Sequence, residues 1–434
     1  MIDFLFWCLV AGVCGPLAGV LCKPERIYEY PYFMAGAFGV FILPQAISLL
    51  RFPGAAPEHA VQGVLVVTCL CLGSCLAGYP RLIPRAAALP RTRLEMDETK
   101  LLHAGLLFVL CGCFFGYKLA HMEIMTSEGG GWTGPATIYN FFQQLCYPGF
   151  AICLRVALRR PTAAAIASTL LALVVPAQSL LAGRREPAAL FAMTVGLTLF
   201  FQLRFRPPRW MIATALALAA LLIPATATYR QFQLQNDWEA VLSADWFDNF
   251  KAFLSQESTL ELRNAAMLIE ATRRSGDYQL GRGYWNHLVF RFVPAQWVGD
   301  DFKRSLSIGA RSEGVERELA AMDYTNPPGS TVTGMGDSFQ QFGYFGCLFF
   351  AVTGVFFRYL WQAALDPRNL FCQLLYMQSC TCAMRSLTHW TLDFLPGLFY
   401  NAIFLGAAWL YASQTGTRRN PGSSDNMRPA RSMS

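Results

Sequence analysis

The chain has 434 residues, 54% of them hydrophobic and only 15% charged, with a formal net charge of +7. Soluble domains usually carry about 25% charged residues, so this deficit excludes an ordinary water-soluble enzyme and points to a membrane protein. The 14 cysteines do not form a disulfide framework, because Cys8, Cys14, Cys69, Cys71, Cys75, Cys111, Cys113, Cys372, Cys380 and Cys382 all lie in apolar runs, where cysteine behaves as a small hydrophobe.

Runs long enough to cross about 30 Å of hydrocarbon need about 20 mostly apolar residues. Eleven are expected, near 4–22, 32–50, 60–79, 101–120, 138–157, 163–182, 188–203, 210–228, 340–362, 369–387 and 393–412. The weakest are 188–203, which is short, and 369–387, which contains Gln373, Gln378 and Ser379. The first run has no basic residue before it, so no cleavable signal peptide is expected.

Lysines and arginines in short loops set the orientation. One set of ends holds nineteen, among them Arg81, Arg85, Arg91, Arg93, Lys100, Arg155, Arg159, Arg160, Arg204, Arg206, Arg209 and the tail arginines from Arg418 onward. The opposite short loops hold four: Arg51, Arg184, Arg185 and Arg385. The richer side is therefore expected to be cytoplasmic, with the N-terminus outside and the C-terminus inside. The expected organisation is 1–228 with eight spans, an extracytoplasmic segment 229–338, three spans in 339–413, and a basic disordered tail 414–434.

Under that orientation Arg184 and Arg185 in "SLLAGRREPAALFA", and Arg385 in "MRSLTHWTLDF", stand outside, where topology gives them no role. Lys118 falls near the outer end of the fourth span. Three readings are open. Arginines at span ends often snorkel to headgroups; the pair beside Glu186 can be a local ion pair; several on the side that should be poor in them can instead hold an anion.

Segment 229–338 is too long for a structureless connector. Residues 237–254 read as one amphipathic helix with Trp238 and Trp246 at a membrane–water boundary. Residues 258–276 read as a second helix, with a Ser258/Glu261 capping box, an apolar face of Leu262, Ala265, Ala266 and Ile269, and Gly276 as its stop. In 281–305 an aromatic run ends at Pro294. There His287 and Arg291, at i and i+4, share a helical face and suit an acidic ligand. Gly334 and Gly336 permit unusual backbone near Asp337, a candidate acid–base or positioning residue that could equally cap a helix. Within the loop 11 basic residues face 15 acidic ones, so nucleic-acid binding has no support.

Four stretches resemble bacterial oligosaccharide repeat-unit polymerases of the Wzy type: "LLAGRREPAALF", "GRGYWNHLVFRFVPAQW", "GMGDSFQQFGYFG" and "MRSLTHWTLDFLPGLFY". The similarity runs in order over about 179–413. It departs at Ala295, where the family has arginine, and at Asp337, where it often has glutamate. The resemblance implies an all-α polytopic protein of GT-C-like polymerase or ligase architecture in the bacterial cytoplasmic membrane. It implies a substrate of oligosaccharide repeats on undecaprenyl diphosphate, with membrane lipid, a flippase and a chain-length regulator as partners. Arg184, Arg185, Arg291 and Arg385 would hold the diphosphate, and His287 or Asp337 would be the base. No metal or other cofactor is implied. Two alternatives are an organic-anion or lipid-linked sugar transporter and an O-antigen ligase.

Overall fold

The computed structural model describes residues 1–79, 96–122, 134–235, 237–255, 260–309, 313–327 and 329–413, without the side chains of residues 227 and 234. Arg81, Arg85, Arg91, Arg93, Glu257, Ser258, Arg311 and the tail 414–434 lie outside the described residues.

The described residues form helices joined by turns and loops, with one isolated bridge between Met96 and Ser413 and no strand among them. Among the described residues, ten helical stretches are long and apolar enough to cross a membrane, the pattern of a multi-pass membrane protein. The first eight are α1 (Ile2–Cys22), α2 (Tyr30–Arg51), α3 (Glu58–Gly78), α4 (Glu98–Ala120), α5 (Pro135–Arg159), α6 (Ala163–Leu181), α7 (Arg185–Leu203) and α8, which starts at Arg209 and continues as helix to Leu234. Shorter helices follow: α9 (Trp238–Ser243), α10 (Trp246–Ser255), α11 (Glu261–Ser275), α12 (Arg282–Phe292), α13 (Ala295–Val298), α14 (Asp300–Ser305) and α15 (Glu313–Ala321). The last four are α16 (Thr333–Phe342), α17 (Leu348–Ala364), α18 (Leu370–Thr388) and α19 (Phe394–Ala412); α16 with α17, and α19 with the turn before it, complete the ten. Phe4, Trp7, Leu107, Leu170, Trp210 and Val352 are all more than 60% exposed. An apolar surface of that kind is stable against lipid tails and not against water.

The eleventh expected span, 369–387, is a helix but is not apolar enough to count among the ten. The reason is its position. Residues from Leu370 to Leu387 are buried almost without a break in α18, polar ones included. Its surroundings are other helices, so it needs no lipid-facing face. Tyr376 donates to the Tyr28 carbonyl at 2.7 Å, and Tyr30 stacks on Phe357 at 4.9 Å beside it. Close approaches knit this centre. A Cβ on Gly334 of α16 would fall 2.0 Å from the Ser386 carbonyl oxygen of α18, and one on Gly78 would fall 2.2 Å from that of Ala351. The freedom expected of Gly334 and Gly336 is thus used for packing. Both have ordinary φ values, and it is Thr333 that takes a positive φ, 54°.

Two expectations for the 229–338 segment change. The single helix over 237–254 is two, because Asp237 and Asp245 each cap a separate start: Asp237 accepts from Ala240 N at 2.9 Å and Asp245 from Asp248 N at 3.0 Å. The 258–276 helix is α11, and it is buried on every side from Leu262 to Thr272, not on one face. Its first turn is capped from afar, by Gln45 Oε1 accepting from Leu262 N at 3.0 Å. Gly276 does end it, at φ 66°. Leu262, Ala265, Met267 and Ile269 share one core with residues of α2, α3 and α18.

Candidate functional site

The turn quoted above is built by a glycine and clamped by α8. Gly183 takes φ +64°, and a Cβ there would meet the Tyr229 ring at 2.6 Å, so only glycine allows both the turn and the close approach. Tyr229 donates to the Leu181 carbonyl at 2.7 Å, and Arg230 Nη2 to that of Gly183 at 3.1 Å. The clamped turn places Arg184 on the wall of a cavity of about 310 Å³ enclosed by α5, α6, α7, α18 and α19. Arg385, Asp393 and Glu186 line it with Arg184, and Gln378 and Thr381 line it further along α18.

Asp393, with only 3% of its side chain exposed, is the centre of the charge cluster. Arg385 Nε stands 3.0 Å from its Oδ2. On the other oxygen, Oδ1, His287 Nε2 lies at 2.7 Å and Arg291 Nη2 at 3.2 Å. Arg385 also reaches Glu186, with Nη1 3.3 Å from Oε1. Three residues expected from the sequence, His287 and Arg291 from one helix and Arg385 about a hundred positions on, therefore meet on one buried carboxylate. The shared face of His287 and Arg291 on α12 is what lets both reach the same oxygen. A neutral His287 that donates its Nε2–H to Asp393 carries its lone pair on Nδ1; neither His287 nor Arg291 is itself among the cavity-lining residues.

The remaining expected residues divide. Arg184 is exposed and has no ion pair among the described residues. Arg185 does not face the cavity. Its Nη2 pairs with Glu261 Oε1 at 3.0 Å and its guanidinium lies over the Phe41 ring at 5.2 Å, because it is the first residue of α7 and points to the side where α2 and α11 pack. Burial, with the charges of Arg185 and Arg184 nearby, pulls the Arg230 guanidinium below its ordinary pKa. Lys118 lies over its own neighbour Phe114 at 5.9 Å and does not line the cavity. Asp337 is absent from the lining as well. It is buried within α16, where its carboxylate accepts from the Thr391 hydroxyl and, at 3.2 Å, from Leu392 N. The Tyr284 hydroxyl adds a contact to Thr391 at 2.9 Å. So Asp337 anchors the 391–393 turn that carries Asp393; it positions the cluster and is not placed as its base.

Asp393 and Glu186 are the residues that sequence reasoning passed over. An acid at the start of an apolar run reads as a helix cap, and an acid next to two arginines reads as a local pair. The available signal was that Asp393 lies eight residues past Arg385 across a short break, "THW". Nearby His389 is kept below its ordinary pKa, mainly by burial, and bonds through Nδ1 to the Thr388 hydroxyl at 2.9 Å.

Compared with protein-family models, with curated proteins and with solved structures, the chain finds no match.

Proposed function

We propose that the chain is a polymerase of undecaprenyl-diphosphate-linked oligosaccharide repeats, working at the outer face of the bacterial cytoplasmic membrane. One observation carries the reading: His287, Arg291 and Arg385 meet on the buried Asp393, and Arg385 and Asp393 line a cavity together with Arg184 and Glu186. Scattered arginines snorkelling to headgroups would share no common partner. The cavity lining holds two guanidiniums, of Arg184 and Arg385, and two carboxylates, of Glu186 and Asp393. Arg291, outside the lining, pairs with Asp393 and offsets its charge, which leaves the lining more favourable to an anion. The excess of lysines and arginines expected at the opposite ends supports an outside position for this end of the bundle.

In this reading Arg184 and Arg385 hold the diphosphate of the donor. An acceptor sugar hydroxyl attacks the anomeric carbon, the carbon–oxygen bond to the diphosphate breaks, and the hydroxyl proton passes to the Asp393–His287 pair, of which Asp393 lines the cavity. Negative charge grows on the leaving diphosphate, so fixed guanidiniums stabilise the transition state more than the ground state. Asp393 orients His287 and keeps Arg291 and Arg385 in place. Arg185 belongs to the support of the site through Glu261. A flippase that supplies the substrate and a chain-length regulator complete the proposed partners.

The test is the length distribution of surface glycan in strains carrying Arg385→Ala or Arg184→Ala. A polymerase loses long chains and keeps single repeats. Loss of all capped product instead indicates a ligase. Glycans unchanged in both strains would remove the proposal and leave a transporter or scaffold.

A further inference from the structure

The floor of the same cavity carries a second feature. Gln378, Thr381 and Arg385 are spaced i, i+3 and i+7 and share one face of α18. Gln378 is 3% and Thr381 5% exposed. Among the described residues, Gln378 Nε2 and Thr381 Oγ1 have no hydrogen-bond partner, and both residues line the cavity. Buried polar side chains nearly always find partners within the protein or ordered water. Two unpaired ones side by side on residues of a cavity wall leave hydrogen-bonding capacity that a ligand can take up. Along the helix axis Thr381 lies about 6 Å and Gln378 about 10 Å from Arg385. That is the reach of a hexose ring joined to a phosphate held at the arginine.

We propose that Gln378 and Thr381 form a neutral, hydroxyl-binding subsite that takes the first sugar ring of the donor and so distinguishes a sugar-bearing diphosphate from a bare one. The amide nitrogen donates to a ring hydroxyl, and the threonine hydroxyl donates to or accepts from another. Asn401 and Tyr147, also in the lining, offer further polar contacts from α19 and α5. This rests on the diphosphate reading above, since it assumes that the charged part of the ligand sits on Arg184 and Arg385.

The experiment measures binding to the purified full chain in detergent with two probes. One is a short prenyl diphosphate; the other is the same molecule carrying a single hexose or N-acetylhexosamine. The variants are Gln378→Leu, Thr381→Val and Arg385→Gln. The wild type should bind the sugar-bearing probe more tightly. Gln378→Leu and Thr381→Val should each weaken that probe roughly tenfold, one hydrogen bond's worth, and leave the bare diphosphate unchanged. Unchanged binding of the bare probe also shows that the variants are folded. If both probes weaken equally, or the sugar adds no affinity in the wild type, the subsite is overturned while the diphosphate reading stands. If neither probe binds the wild type, both readings fall.

Discussion

Asp393→Asn tests the charge cluster most directly. The substitution keeps the shape of the side chain and removes its charge. Breaking a buried ion pair by removing one partner costs about 3–5 kcal/mol, because the other charge is left without compensation. Here two guanidiniums lose their counterion, yet each retains a route to relief. Arg385 keeps Glu186 at 3.3 Å, and the Arg385 and Arg291 side chains are 25% and 30% exposed. The expected loss is therefore at or just below the lower end, about 2–3 kcal/mol. Chemical unfolding in detergent, followed by tryptophan fluorescence, measures it. A double-mutant cycle isolates the cause. Arg291→Gln added to Asp393→Asn should recover part of the loss, with a coupling of about 1 kcal/mol or more. Purely additive effects, or an Asp393→Asn protein as stable as wild type, would refute the view that this carboxylate holds the site together.

Other expectations follow from the same contacts. Arg184→Ala should weaken diphosphate binding at least tenfold with little effect on stability, since Arg184 makes no ion pair among the described residues; titration with a prenyl diphosphate and thermal unfolding, run together, check both halves. Arg185→Ala should do the reverse, lowering stability by about 1 kcal/mol through loss of its partly exposed pair with Glu261 and its contact with Phe41, and leaving binding intact. Gly334→Ala should destabilise by about 2 kcal/mol or more, because its methyl would press on the Ser386 carbonyl; unfolding measurements in detergent would show no change if the helices can part freely. Burial lowers the His389 pKa in the folded state, so the unfolded chain binds the proton first. Stability should then fall as pH drops below about 6.5 toward the folded pKa. His389→Gln should flatten that slope in unfolding curves taken between about pH 5 and 7.

Apolar runs determined most of the helices by themselves, since a span of about 20 residues must satisfy its own backbone in lipid and helix is the local solution. Ten of the eleven expected stretches are long and apolar enough to cross a membrane, and the eleventh is a helix too. Local spacing also placed His287 and Arg291 on one face, because i and i+4 fix direction without tertiary information. What the sequence left undecided is which charges meet. Asp393 as the shared partner of His287, Arg291 and Arg385, Arg185 turned away to Glu261, and Asp337 spent on holding the 391–393 turn depend on how α7, α12, α16, α18 and α19 pack. A carboxylate's role is set by the groups within a few ångströms of it, and two of the three, His287 and Arg291, arrive from 106 and 102 positions away. The same holds for α18: its glutamines look wrong for a span in the sequence, and burial among other helices explains why they are tolerated.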